Sequence, residues 1–393
     1  MIVRQFLHWL RTAPPGERAE ATSALARAYL FSDLSESDRA AAEGAMIMLL
    51  DDASPLVRQA LADVFAGSEW APPAIVHSLV NDQPDVAASL LERSPLLLDA
   101  DLVEAVATGE AARQAAVAAR AFVPCAVSAA IAEVGSAEAC LVLLENTGAD
   151  IMPASLDRMV ARHGHLAPIR EALLGRAELT PATRQALIAK LSQTLAAFVA
   201  SREWLSEDRA ERVTREACEK ATIALAADST DDEVRPLVHH LRESEQLTAG
   251  LILRSLLCGN LALFEEALAE LSDVSPTRVA GIVHDRRGAG FRALYDKAGL
   301  PASTFRVFRD ALDAIRYEGV WTEPGGVSRL KRSIIERVLT RCESAEIGDI
   351  EPLLTLLRRY AAEAAREEAR LFCDELVADD GIALGFDERL VAA

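Results

Sequence analysis

Apolar residues recur along most of this chain three or four positions apart, in segments of about ten residues divided by short turns, which is the period of amphipathic helices. Ile75, Leu79 and Val80 form one face, Leu102 and Val106 another, and Val127, Ile131 and Val134 a third. Leu156 with Val160, Leu187 with Leu191, and Val279 with Val283 continue the series. Each face follows the same local arrangement: an apolar residue, then Pro or a capping residue within one or two positions, then the helix. The starts read Trp70-Ala71-Pro72, Leu97-Leu98-Asp99, Val123-Pro124, Ile151-Met152-Pro153 and Leu179-Thr180-Pro181, at spacings of 27, 26, 28 and 28 residues. The pattern returns as Leu247-Thr248, Val274-Ser275-Pro276 and Leu300-Pro301, spaced 27 and 26 apart.

Proline suits the first helical turn, where its missing N–H costs nothing and its fixed φ already fits. Thr180 and Ser275 stand where an N-cap oxygen accepts an orphan N–H, and the preceding apolar residue is placed to staple against the first turn. A second helix precedes each start: Leu56 to Ala62, Val86 to Leu91, Ala111 to Arg120, Ala137 to Glu145 and Ile169 to Leu174. Helices this short are marginal alone and must bury their faces against neighbours. The predicted fold is therefore all-α, an α-solenoid of short helix pairs repeating about every 27 residues, in two lobes. Between the registers, Leu187, Leu191, Leu195, Phe198 and Val199, then Val213, Ala217, Ile223 and Leu225, predict two longer helices with a break near Ser201 to Ser206. Asp228 to Glu233 reads as a loop and helix cap, and Glu323-Pro324-Gly325-Gly326 as a loop. Two further helices, Ser328 to Cys342 and Pro352 to Leu376, are expected as a capping pair or an oligomerisation element. The expected domains are 1–200, 201–322 and 323–393.

Asp52-Ala53-Ser54-Pro55-Leu56-Val57-Arg58-Gln59-Ala60-Leu61-Ala62 resembles the helix-pair motif of HEAT-type repeats, in which Asp, Val-Arg and small residues recur. The run from Asp33-Leu34-Ser35 through Leu90-Leu91-Glu92-Arg93-Ser94-Pro95 to Thr180-Pro181 is similar to an uncharacterised alphaproteobacterial family, a domain of unknown function with HEAT-like repeats. The resemblance spans roughly residues 30–300. It implies an α-solenoid in a bacterial cytoplasm and carries no catalytic residues to transfer. The period here is shorter than that of ordinary HEAT units.

Composition agrees with a helical chain: 51% of residues are apolar but only 5% aromatic. The net charge of −19 opposes binding to a phosphate backbone, which needs clustered cations. Cys125, Cys140, Cys218, Cys258, Cys342 and Cys373 are scattered singly, as buried thiols of a reducing cytoplasm would be. Met1 to Leu10 is interrupted by Arg4 and His8 and reads as an amphipathic first helix, and no apolar run is long enough to span a membrane.

Candidate chemistry is thin. His163-Gly164-His165 lacks further ligands at a metal-binding spacing. His239-His240, near Arg242, could take a phosphoryl group if an imidazole were exposed. Gly288-Ala289-Gly290-Phe291-Arg292-Ala293 matches a dinucleotide fingerprint, but the expected neighbours are helices where that motif needs a strand. His284-Asp285-Arg286-Arg287 concentrates charge at one turn, and Arg329-Leu330-Lys331-Arg332 with Arg337 and Arg341 is the strongest basic stretch. His284, Asp285, Arg286, Arg287, Arg337 and Arg341 are thus the candidate partner-binding residues. Phosphate-loop, His-Glu-x-x-His and Gly-x-Ser-x-Gly motifs do not occur. The expected function is a non-enzymatic interaction module, regulatory or scaffolding, with another protein or peptide as partner, no cofactor, no metal, no nucleic acid and no membrane. The alternatives are a phosphotransfer or ligand-sensing protein and, more remotely, a HEAT-like nucleic-acid glycosylase.

Overall fold

Short helices begin where the sequence supplies a residue suited to a helix start. The computed structural model describes residue 9 and residues 12–176, 178–285, 288, 290–318, 326–343 and 351–391. The chain divides between Phe198 and Val199 into two compact units. In the first, α1 (Pro15–Phe31), α2 (Glu36–Leu49), α3 (Pro55–Phe65), α4 (Pro73–Val80), α5 (Pro84–Arg93) and α6 (Asp99–Thr108) are followed by α7 (Ala111–Ala118), α8 (Cys125–Val134), α9 (Ala137–Glu145), α10 (Pro153–His163) and α11 (Ala167–Leu174). Proline opens α1, α3, α4, α5 and α10. Ser35 and Ser136 cap α2 and α9 through N–H bonds from Asp38 and Ala139.

The helices stack in two layers. In one, α1, α3, α5, α7, α9 and α11 pack each against the next; in the other, α6, α8 and α10 do the same. A single apolar cluster runs between the layers, from Leu61 and Phe65 through Leu90, Val106 and Ile131 to Leu143, Val160 and Leu173. This is the predicted α-solenoid. At three starts the apolar residue proves to be one of a pair, Ala71, Leu97 and Val123 buried beside exposed Trp70, Leu98 and Phe122; at the fourth Ile151 is half-buried beside exposed Met152, and Leu179 is buried on its own. Val123 also forms an isolated parallel bridge with Ala149, through Val123 N to Gly148 O at 3.2 Å and Asp150 N to Val123 O at 2.9 Å.

Helices of eight to eleven residues expose many terminal carbonyls, because the last four of each lack intrahelical donors. Here the following repeat supplies the donors. Arg113 of α7 donates to Val80 O at 2.6 Å and Asp82 O at 3.2 Å, beyond α4. Arg120 donates to Leu91 O and Ser94 O at 2.6 and 2.8 Å, at the end of α5. Asn146 donates to Ala118 O and Arg120 O, Arg162 to Ala132 O and Gly135 O, and Arg176 to Leu144 O. Side-chain pairs reinforce the same spacing: Arg18 holds Asp52 at 2.7 Å and Arg58 holds Asp82 at 2.5 Å.

Two long helices follow, α12 (Pro181–Ser201), capped by Thr180, and α13 (Glu207–Ala227), as the sequence predicts. The second unit continues with α14 (Asp231–Glu243), α15 (Ala249–Leu257), α16 (Leu261–Ser272), α17 (Pro276–His284) and α18 (Phe291–Lys297). A short 3-10 turn, α19 (Phe305–Glu318), α20 (Gly326–Glu343) and α21 (Glu351–Val391) complete it. Ser275 makes no side-chain cap bond, and Pro276 alone marks the start of α17. Residues Leu251 to Leu257 of α15 are all buried, so this helix is enclosed on every side. Phe264, Phe291, Tyr295, Phe305 and Phe308 pack edge to face and offset, with the Tyr295 and Phe305 ring centres 5.1 Å apart. Ile334, Ile335, Val338, Leu357 and Tyr360 of α20 and α21 join the same core. Gly259 and Gly299 adopt φ of 74° and 70° just past α15 and α18, the left-handed region where a Cβ is unfavourable. Among the thiols, Cys140 is buried, whereas Cys125 and Cys373 are exposed.

Two outcomes follow from the capping bonds. Arg120→Ala leaves the Leu91 and Ser94 carbonyls without donors, and urea denaturation is expected to show a loss of about 2–3 kcal/mol. The Arg58 guanidinium holds the Asp82 carboxyl below its ordinary value. That stabilisation is present above about pH 4, the unfolded aspartate value, and is lost as pH falls through the lower folded value. Asp82→Asn is expected to flatten the acid limb of a melting-temperature profile below pH 4 relative to the unsubstituted chain.

Candidate interaction surface

A turn leading out of one layer and into the other needs one apolar residue to staple the next helix. The turns after α3, α5, α7 and α9 carry a second, and in each it is exposed. Trp70, Leu98 and Phe122 are 81, 70 and 64% exposed beside buried Ala71, Leu97 and Val123, and Met152 is 54% exposed beside half-buried Ile151. Because α3, α5, α7 and α9 pack each against the next, the turns that carry the four residues follow one another along the array, and the helices themselves are spaced about 8–10 Å apart. Phe31 and Leu174, the last residues of α1 and α11, are exposed at the two ends of the row. Between two of the turns lies a cavity of about 600 Å³, bordered by Pro95, Leu97, Leu102, Arg120 and Phe122. Single exposed apolar residues are ordinary; a row in register along one edge marks a contact surface. On the opposite edge Met48, Leu56 and Val134 are exposed, but the intervening turns read Asn81-Asp82-Gln83 and Gly109-Glu110.

The charge is acidic along the first three turns of the row, whereas past Met152 Arg158, Arg162, Arg170 and Arg176 outnumber Asp157 and Glu171. Residues 51–150 contain fifteen Asp and Glu against four Arg and no Lys. Arg58 is closed on Asp82; Arg113 and Arg120 cap carbonyls and keep their charge, Arg120 interacting with Asp99, and Arg93 is exposed on the same cavity as Phe122. Glu69, Asp99 and Asp150 are exposed beside Trp70, Leu98 and Met152. Burial lowers the basicity of Arg120, the direction expected for a guanidinium withdrawn from water to serve the backbone.

The residues singled out from the sequence are placed differently. His284 ends α17 with Nε2 3.0 Å from Glu265 Oε1 of α16. Asp285 follows it, half-buried, its carbonyl accepting from Gly288 N at 3.0 Å. Arg286 and Arg287 lie outside the described residues, as do the side chains of Arg329 and Lys331 and the 323–325 part of the predicted loop. Arg337 and Arg341 lie on α20, Arg341 with Nη1 3.6 Å from Asp310 Oδ1 of α19. The pairs of His284 and Arg341 are thus made to separate neighbouring helices. Gly288 and Gly290 lie between helices α17 and α18, not after a strand. His163 Nε2 is 3.4 Å from Gly135 O, and among the described residues no group of His, Cys, Asp and Glu could hold a metal ion. His239 of α14 has Nδ1 3.1 Å from Glu270 Oε1 and Nε2 3.3 Å from Glu243 Oε1. The Glu270 hydrogen bond raises its pKa, favouring the imidazolium, the form with no lone pair to attack phosphorus.

One concentration of charge was not visible in the sequence. Arg254 of α15 is buried, donates through Nη1 to Glu216 O at 2.8 Å, pairs with Glu363 and lies 4.5 Å over the Tyr360 ring. Lys220 bridges Glu363 and Glu367, and Arg359 pairs with Glu216. Burial pushes the Glu219 carboxyl up, as it does the Tyr360 phenol. A cavity of about 580 Å³ borders Lys220, Arg254 and Glu367, whose charges are already matched to one another. The outward apolar row had a signal, two apolar residues in turns where one suffices. The ion network had none, its members being scattered from Glu216 to Glu367.

The family model for DUF2336, described as an uncharacterised protein conserved in bacteria, matches residues 86–348. No curated protein and no solved structure matches the chain. No helix among the described residues is long and apolar enough to cross a membrane.

In Glu270→Gln, the His239 ring-proton titration followed by NMR is expected to shift down toward the ordinary value of 6.5. An unchanged midpoint would exclude Glu270 as the cause.

Proposed function

The chain belongs to the DUF2336 family of bacterial proteins, and we propose that it is a non-enzymatic interaction module of the bacterial cytoplasm, regulatory or scaffolding in role, that receives another protein along the turn edge of its first unit. The observation that carries this reading is the row of Trp70, Leu98, Phe122 and Met152, exposed in register along one edge of a stacked array. Tryptophan and other large side chains supply most of the energy of protein contacts when a partner desolvates them. HEAT-like solenoids, which the sequence resembles, offer such extended surfaces because neighbouring repeats fix the spacing of equivalent positions. Fifteen acidic residues in the 51–150 stretch oppose a phosphate backbone as the partner. A ligand-sensing reading would draw on the cavity beside Arg254, whose charges are internally matched, so the edge is preferred.

The test is site-specific photo-crosslinking in the native host. A benzophenone side chain at position 70 or 122 is expected to give a discrete adduct with a second polypeptide, and the same probe at position 83 or 110 on the opposite edge none. No adduct at any position, or equal adducts at all four, would refute the reading.

A further inference from the structure

We infer that a second copy of this chain docks along the outer half of α21, the two helices running antiparallel about a two-fold axis near Cys373. The helix is longer than its support: α21 has 41 residues, about 62 Å, whereas α20, against which it packs, has 18, about 27 Å. Its inner face is buried at Leu354, Leu357, Tyr360 and Ala364. From Ala369 to Asp374 six consecutive residues are exposed, more than one full turn, and Leu371 and Phe372 among them are 43 and 55% exposed. No described element covers the helix there, and a helix without packing is marginal in water.

The occupant follows from the sequence of the helix itself. From Ala369 the intervals alternate three and four through Phe372, Leu376, Asp379, Ala383 and Phe386, the seam of a two-helix coil with a single polar position to set its register. Charge along the helix is segregated. Glu363 and Glu367 are held by Lys220 and Glu368 by Arg332, which leaves Arg366 and Arg370 exposed in the inner half. Residues 371–388 carry six acids and no Lys or Arg. One helix therefore holds both members of a complementary pair in reverse order, the condition for an isologous two-fold contact. Arg366, Cys373 and Asp380 stand seven residues apart beside the seam. Antiparallel pairing about Cys373 sets Arg366 against Asp380 of the second copy, twice over, and brings the two Cys373 thiols together. Parallel pairing would align the acidic halves with each other, which like charges oppose.

The test uses the intact chain, its mass read by sedimentation equilibrium. The chain is expected to be a dimer that a short bismaleimide joins through Cys373, and Cys373→Ser is expected to abolish that link. Phe372→Asp should raise the dissociation constant about a hundredfold, and Arg366→Asp or Asp380→Arg, each alone, about tenfold. The two charge reversals combined in one chain should restore the dimer to within about threefold of its original strength. Residues 366 and 380 are about 21 Å apart on one helix, so that rescue requires two chains and excludes misfolding as the cause of the loss. A monomeric intact chain, a dimer indifferent to Phe372→Asp, or no rescue in the doubly substituted chain would overturn the proposal. So would a benzophenone probe at position 372 that, in the native host, joins the chain to a different polypeptide and not to itself.

Discussion

The demand that every helix end find donors for its last carbonyls governs the first unit. A helix of about ten residues has two ends within three turns, so unsatisfied backbone groups are a large fraction of its polar inventory. In this chain Arg113, Arg120, Asn146, Arg162 and Arg176 reach back from one repeat to the carbonyls of the repeat before it. Charged donors to a buried carbonyl are stronger than neutral ones, and a planar guanidinium serves two carbonyls at once, as Arg120 and Arg162 do. The same demand shapes the exterior. Arginines committed to the backbone are held at the helix ends rather than in ion pairs on the outer face, and the acids still outnumber them, fifteen to four over residues 51–150.

Much of this architecture is written in local sequence. The ends of α9 at Ala137 and Glu145, the two long helices α12 and α13, and the near-constant period all follow from apolar spacing and start residues. What local pattern does not decide is which of two adjacent apolar residues in a turn is swallowed. Leu97 and Leu98 are chemically identical, and only the position of α6 against α7 and α8 determines that the first is buried and the second exposed. Ser275 shows the same limit from the other side: a residue fit to cap α17 makes no cap bond where Pro276 already sets the backbone. Arg254 shows it most fully, since its partners Glu216 and Glu363 are far along the chain in opposite directions. The family match places the chain among bacterial relatives without assigning any of these residues a role.

The second unit solves its packing by other means. Five aromatic rings and a helix buried on all faces replace the stacked aliphatic layers, and an ion network is added to carbonyl bonds such as those of Arg242 to Glu270 O and Arg254 to Glu216 O. Buried ion pairs contribute little net stability but penalise arrangements that separate the partners. Buried Arg254 joins α13, α15 and α21, helices far apart in sequence, and the more exposed Lys220 and Arg359 pairs lie around it, where the first unit relies on neighbours along the chain.

The carbonyl ladder of the first unit also has a direction. The arginine and asparagine donors described there lie 26 to 33 residues after the carbonyls they satisfy. A ribosome releases the chain from its N-terminus, so each helix end emerges before the side chain that closes it. Folding during synthesis therefore trails elongation by one repeat throughout the array. The growing end always presents one open set of carbonyls, and that set passes forward from repeat to repeat as translation proceeds.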